Sequence, residues 1–356
     1  MALIPMRCCP KNVLALLCWG LLAGTVQADT LDRARIAGLS GSERLRMFAY
    51  GKLLEKGNAP RAVIVQMKQT MVSQGFYYDP GGSRLIAAEA WVTPILSYDG
   101  NINGGVLQDS FTFNGFVFQA DPAFHAKAGP VLGLSAGAAV RLAWANGRYV
   151  EGRALGEAVW SPDYRIGRSN AELALCSRNQ VIGWTFLDLC HSGMAVKREL
   201  GTSVSQQTAL ALTRLYQSDS AYHELTAQFS QTQYEAWHQP SVTLSWDAVW
   251  DGAATRLSLT KAARVHGETA LNNRITAAIK WPWGRRAMGL GLWYQRSDGG
   301  SFLGTQRKDE AAGISVSYEP HPGLTAQIAY MANQSSVSFF DYTQTSVNLR
   351  FDALRW

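Results

Sequence analysis

Ser241-Val242-Thr243-Leu244-Ser245-Trp246-Asp247-Ala248 decides the fold of this chain. Apolar Val242, Leu244, Trp246, Ala248 and Trp250 alternate with Ser241, Thr243, Ser245, Asp247 and Asp251, and only Val249 is out of step. The period is two. It returns in Ile275, Ala277, Ile279 and Trp281, in Ile314, Val316 and Tyr318, in Leu324, Ala326, Ile328 and Tyr330, and in Val347, Leu349 and Phe351. Alternation in segments of about 10 residues, separated by turn residues and carrying aromatics near their ends, is what a strand needs when one face meets lipid and the other a polar lumen.

The chain ends on Trp356, and a last strand with a terminal aromatic resembles the assembly signal of bacterial outer-membrane barrels. Arg355 and the phase of Leu354 and Trp356 depart from strict alternation. At 356 residues and 47% hydrophobic content, there is no apolar run of helix-spanning length after the N-terminus. Only helices and closed barrels satisfy every backbone group in lipid, so a membrane chain of this kind is expected to be a barrel. The 33 glycines and 12 tryptophans suit strand curvature and lipid interfaces.

Residues 1–28 read as a secretory signal: Arg7 and Lys11, an apolar stretch from Val13 to Ala23, then Val26-Gln27-Ala28 before Asp29. Its removal takes two charges from the formal +6, and the remaining basic residues are scattered, so nucleic acid is not an expected partner. Cys8, Cys9 and Cys18 leave with it, and Cys176 and Cys190 remain, an even number for an oxidising compartment.

Residues 29–83 change to a helical pattern. Ser42-Glu43-Arg44-Leu45 opens a helix that ends near Gly57, and Pro60 starts a second through Val63, Ile64, Met67 and Met71 to Gly75. This hairpin has the length of one tetratricopeptide unit and is expected as a periplasmic cap or a plug in the barrel mouth. After the Asp79-Pro80-Gly81-Gly82 linker, residues 84–356 hold fourteen candidate strands. Tight turns such as Asn146-Gly147 and Pro320 to Gly323 alternate with longer connections, of which Asp99 to Gly129 is the longest and Arg296 to Glu310 the next. Short turns belong in the periplasm and long loops outside, so the expected fold is a 14-stranded antiparallel transmembrane β-barrel in the outer membrane of a Gram-negative bacterium, both termini periplasmic. Outer-membrane lipids and the barrel-assembly machinery are its expected partners.

With Leu173, Leu175, Leu187 and Leu189 toward lipid, Glu172, Cys176, Arg178, Asp188 and Cys190 turn inward. A hairpin centred on Gly183 then sets Cys176 across from Cys190 and Arg178 across from Asp188, so a disulfide is expected, worth roughly 3 kcal/mol for a loop of about 15 residues. The same reasoning turns Arg141, Glu151, Arg153, Glu157, Glu224, Asp247, Arg256, Lys280, Arg350 and Asp352 inward. That mixture of signs wets a channel, anchors a plug, or simply solvates itself.

Asp99, Asn101 and Asn103 match the opening of a calcium loop, but position 12 is Ser110 and no helix pair flanks it; turn formation explains the same residues. Phe111, Phe113, Phe116 and Phe118 flank Asn114-Gly115 as an apolar hairpin. No catalytic residue, metal or cofactor is assigned: Ser192 and Asp188 share a face that His191 does not, and the remaining histidines lack ligand spacing.

The order of parts, the strand count from Arg84 to Trp356 and the Ser97-Tyr98-Asp99-Gly100-Asn101-Ile102-Asn103 passage resemble the surface lipoprotein assembly modulator family. That resemblance implies periplasmic tetratricopeptide repeats, a 14-stranded barrel, and protein or lipoprotein cargo brought to the cell surface. Here the array is reduced to the single hairpin Ser42 to Gly75. The expected function is therefore translocation or surface display of such cargo; a passive porin for small solutes and an adhesin displaying its loops are the alternatives.

Overall fold

The computed structural model describes residues 30–57, 59–77, 82–113 and 115–356, without the side chains of Phe111 and Phe113. The leader expected over residues 1–28, Asp79 to Gly81 of the linker and Asn114 lie outside these described residues.

Fourteen antiparallel staves close into a barrel: β1 (Arg84–Asp99), β4 (Gly129–Ala145), β5 (Arg148–Ser161), β6 (Ile166–Ile182), β7 (Thr185–Arg198), β8 (Gly201–Gln217), β9 (Tyr222–Tyr234), β10 (His238–Val249), β11 (Ala254–Ala262), β12 (Ala270–Trp283), β13 (Arg286–Phe302), β14 (Thr305–His321), β15 (Leu324–Ser335) and β16 (Tyr342–Phe351). The long first loop carries the small hairpin β2 (Ser110–Phe113) and β3 (Phe116–Gln119). Each stave pairs with its chain neighbour, and β16 closes on β1 through Ser97↔Asn348. With no free edge, every ladder group on the lipid side has a partner.

The phase anomaly at the C-terminus has a local cause. Asp352 and Ala353 interrupt the last stave, the Asp352 N–H donating to the Gly323 carbonyl, and β17 (Leu354–Arg355) rejoins β1 one residue out of the β16 register. The slip returns Leu354 and Trp356 to the outer face, where they are among the most exposed apolar residues. Trp356 exchanges both backbone hydrogen bonds with Ala90, so the chain end is zipped into the barrel.

The expected long loop from Arg296 to Glu310 is not a loop. β13 and β14 continue as a ladder to a two-residue turn at Leu303-Gly304. Beyond the lipid both faces meet water, so the strand persists without the alternation that marks it in sequence.

The outer wall carries the apolar side of the alternation, with Leu173, Leu175, Leu212, Phe229, Leu244 and Ile328 all exposed. At the short-turn end Tyr216, His223 and Trp246 stack with Trp250 edge-on to them, and Trp144 and Trp283 are exposed near the same rim. Trp160 and Tyr164 mark the other end. The chain is a transmembrane β-barrel with aromatic girdles.

Inside the short-turn end sit three helices: α1 (Thr30–Ala37), absent from the sequence reading, α2 (Glu43–Glu55) and α3 (Arg61–Ser73). Ser42 caps α2, accepting from the Leu45 N–H at 3.1 Å. Leu45, Phe48, Leu53 and Met67 form one buried cluster with Phe186, Leu215, Tyr222 and Val249 of the wall. The expected hairpin is thus a plug packed within the barrel.

Candidate functional site

The plug is seated through paired charges. Both Arg44 Nη atoms donate to Asp188 at 2.8 Å, and Arg178 Nη1 meets the same carboxylate at 3.0 Å. Glu43 pairs with Arg141 at 3.1 Å, which also holds Glu151 at 2.6 Å. Ser42 donates to Glu224, and Arg33 pairs with Asp251 on the β10–β11 turn. The Gly147 N–H donates to the Gly75 carbonyl, tying the end of the plug to the β4–β5 turn. These seats run from β4 round to β10. The opposite wall, β12 to β16, turns Gly289, Gly291, Ser315, Ser317, Ala329 and Ser346 inward, among larger side chains that include Lys280, Trp293, Gln327 and Arg350.

The inward set expected from sequence therefore divides by role. Arg141, Glu151, Arg178, Asp188 and Glu224 seat the helices or brace the residues that do. Arg256 pairs with Asp247 at 2.7 Å beside Gly41 of the plug. Higher in the lumen, Glu157 pairs with Arg168, while Arg153 lies over Trp91. Glu172 stands opposite Leu155, Lys280 opposite Gly289 and Arg350 opposite Ile95. Asp352 falls in the break before β17 and lies against Gly323. Cys176 and Cys190 are direct cross-strand partners joined by a disulfide, one inward step above Arg178 and Asp188.

At the long-loop end, the first loop folds inward. Ile102 is fully buried against Val131 and Val159 of the inner wall. The side chains of Asp99 and Asn103 are engaged by protein groups, and Asn101 donates its amide while its Oδ1 is buried without a hydrogen-bond partner among the described residues. Asp99 Oδ1 accepts from the Asn101 N–H at 2.9 Å, and Asp99 Oδ2 lies 2.8 Å from Arg168 Nη1. Asn103 Oδ1 accepts from the Gly105 and Lys127 N–H groups, and its amide donates to the His125 carbonyl. Asn101 donates to the Gly105 carbonyl. A cation at this place would face Arg168, and the residues act instead as fasteners of the loop. Further ties reach the β7–β8 turn, where Leu200 N–H donates to the Asn103 carbonyl and Lys127 pairs with Glu199, and the β15–β16 loop, where Gln108 donates to the Asp341 carbonyl. The loop is strapped across the mouth.

Beneath the strap lies a cavity of about 570 Å³. Arg168, Arg198 and Arg307 line it with one carboxylate, Asp99, and with Ser97, Asn101, Gln344, Ser346 and Asn348. Arg168 is held by Asp99 and Glu157, and Arg307 by Asp309 while it lies over Phe340. Arg198 donates to a neutral group, the Asn101 carbonyl, at 2.8 Å. Phe302, Phe339 and Phe340 pack edge and face behind Arg307, bracing the extended β13–β14 hairpin. A volume of this size, lined by a few convergent polar groups, fits a small solute. Arg168, Arg198 and Arg307 were not singled out in sequence, because lone arginines near strand ends carry no spacing signal and converge only when the barrel closes.

Neither a protein-family model nor a curated protein matches the chain. Among solved structures, OpdK of Pseudomonas aeruginosa with vanillate is 10% identical, with 78% of this chain and 100% of that one covered, at a TM-score of 0.41. OccAB3 of Acinetobacter baumannii is 8% identical, with 76% of this chain and 99% of that one covered, at a TM-score of 0.40. At that distance the likeness decides nothing about this chain's lumen or its solutes. The resemblance to surface lipoprotein assembly modulators gains no support from these comparisons.

Two serine–histidine neighbours on the wall do not pair a nucleophile with a base. His191 points outward and meets Thr208 Oγ1 at 2.9 Å, away from Ser192. Ser218 Oγ does lie 2.8 Å from His223 Nε2. The other ring nitrogen, Nδ1, accepts from the Trp246 indole at 3.2 Å, and an indole only donates. In the neutral ring the proton is therefore on Nε2, which leaves no base facing the hydroxyl.

Proposed function

We propose that this chain is a passive outer-membrane channel for small hydrophilic solutes, with a preference for anions, its short turns and plug toward the periplasm. The observation that carries the reading is the solute-sized cavity under the first loop, where Arg168 and Arg307 are ion-paired with Asp99, Glu157 and Asp309 while Arg198 donates to a neutral carbonyl. A guanidinium that bonds a neutral group, as Arg198 does, attracts small anions and raises their rate of entry. The lumen below supplies a water-facing wall, and the described helix seats lie between β4 and β10, leaving the polar inner face of β13 to β16 across from them. Passage of a polypeptide is disfavoured by the same plug, because its removal breaks a buried cluster and several ion pairs at once.

The test is conductance of the purified full-length chain in a planar bilayer. Discrete ohmic steps with a reversal potential favouring chloride over potassium are expected. Arg198→Gln moves that potential toward zero with the unitary steps retained. A chain that inserts correctly but passes no current, even after residues 30–77 are deleted, overturns the reading; loss of a surface protein on gene deletion, with solute uptake intact, restores translocation.

A further inference from the structure

Gly104 lies where the first loop crosses the β7–β8 turn. Its φ of +80° is a left-handed conformation that favours glycine. The Arg198 side chain runs across it: a Cβ placed on Gly104 falls 3.0 Å from Arg198 Cδ and 3.5 Å from Arg198 Cβ. Neighbouring contacts fix the crossing, since the Leu200 N–H donates to the Asn103 carbonyl at 3.0 Å and Lys127 pairs with Glu199 at 2.9 Å. Consecutive residues of the turn, Arg198, Glu199 and Leu200, therefore all meet the loop.

The dependence runs from loop to arginine. The loop has other fasteners: Asn103 Oδ1 accepts two backbone N–H groups, Ile102 is fully buried, and Gln108 donates to the Asp341 carbonyl. Arg198 has the Asn101 carbonyl, 2.8 Å from its Nη1, and no ion pair among the described residues. A long arginine stem visits many rotamers when nothing constrains it. Here Gly104 gives the stem a floor and the Asn101 carbonyl anchors its tip, which leaves the remaining N–H groups of the fork for a solute.

We infer that Gly104 and the Asn101 carbonyl are positioning groups for Arg198, so that the first loop sets the anion selectivity of the channel as well as covering its mouth; this rests on the channel reading above. Two fixed points hold a planar fork in one orientation, and an oriented fork meets a pair of anionic oxygens with less ordering left to do at entry. A side chain at position 104 presses on the stem and turns the fork away. The other fasteners keep the loop in place when that happens.

The test is the reversal potential of full-length variants in a planar bilayer under a potassium chloride gradient. Gly104→Asn is expected to keep the unitary steps and to move the potential toward zero by roughly half or more of the shift that Arg198→Gln produces. Asparagine tolerates the left-handed backbone, so the change falls on the arginine. Gly104→Ala, which adds the Cβ alone, moves the potential less. Gly115→Asn makes the same backbone demand in the same loop, at a φ of +83° with nothing within 4 Å of its Cβ, and leaves the potential unchanged. In the Arg198→Gln background Gly104→Asn is expected to be silent, because two changes that act through one group do not add. A Gly104→Asn channel as selective as wild type overturns the inference. So does a shift of equal size in both backgrounds, which reports a loosened loop in place of a misplaced guanidinium. An Arg198→Gln channel as selective as wild type overturns the anion reading itself, and the inference with it.

Discussion

Asp188 shows how one buried carboxylate organises its neighbourhood. Its side chain is 7% exposed and is shared by Arg44 of the plug and Arg178 of the adjacent stave. Removing one partner of a buried pair leaves the other charge uncompensated, so the two ends of this network are not equivalent. Asp188→Asn strands the Arg44 guanidinium and leaves Arg178 only its longer contact with Glu151 at 3.4 Å, and is expected to destabilise the folded barrel by about 3–5 kcal/mol. Arg44→Ala leaves Asp188 paired with Arg178 and is expected to cost about 1–3 kcal/mol. Denaturant titration in detergent micelles measures both, and the opposite order sinks the account. The disulfide one step higher staples the same two staves. Cys176→Ser with Cys190→Ser is expected to lower stability by at most about 3 kcal/mol, because the barrel register already holds the loop closed. The cysteine pairing and the Arg178–Asp188 pair were legible in sequence, since a tight turn fixes register and register fixes partners. Arg44 was not, because a helix of the plug meets the wall only after both have formed.

At the scale of the element, α2 is a 13-residue helix, too short to persist alone in water, and its order depends on its seat. Phe48 is 3% exposed, edge-on to Trp184 and Tyr222 across the plug and wall. Phe48→Ala is expected to cost about 3–5 kcal/mol of plug docking. Hydrogen exchange across residues 43–55 then rises to that of an open segment while the staves stay protected; uniform exchange over the whole chain would show instead that plug and barrel unfold as one. The first loop is the counterpart at the other mouth. Its Asn-Gly composition announced turns, but its path into the lumen depends on Ile102 finding Val131 and Val159, which lie on two different staves.

For the whole molecule, the distribution of charge separates seat from path. Carboxylates and guanidinium groups cluster where the helices dock, and Arg198, bonded to a neutral carbonyl, lies in the cavity under the strap. Anion preference is expected to fall as salt rises from 0.1 to 1 M, because the Debye length contracts from about 10 to about 3 Å, shorter than the cavity is wide. A reversal potential per decade of gradient that is constant across that range would place selectivity somewhere other than these arginines. Alternation by itself determined the barrel, its stave number, its inner and outer faces and the disulfide, because a period of two leaves each side chain only two directions and a tight turn leaves each stave one register. Tertiary structure alone decided that the N-terminal helices dock inside the short-turn end of the barrel and that three distant arginines share one cavity. Those arrangements need closure of the wall, which brings together residues that no local period relates.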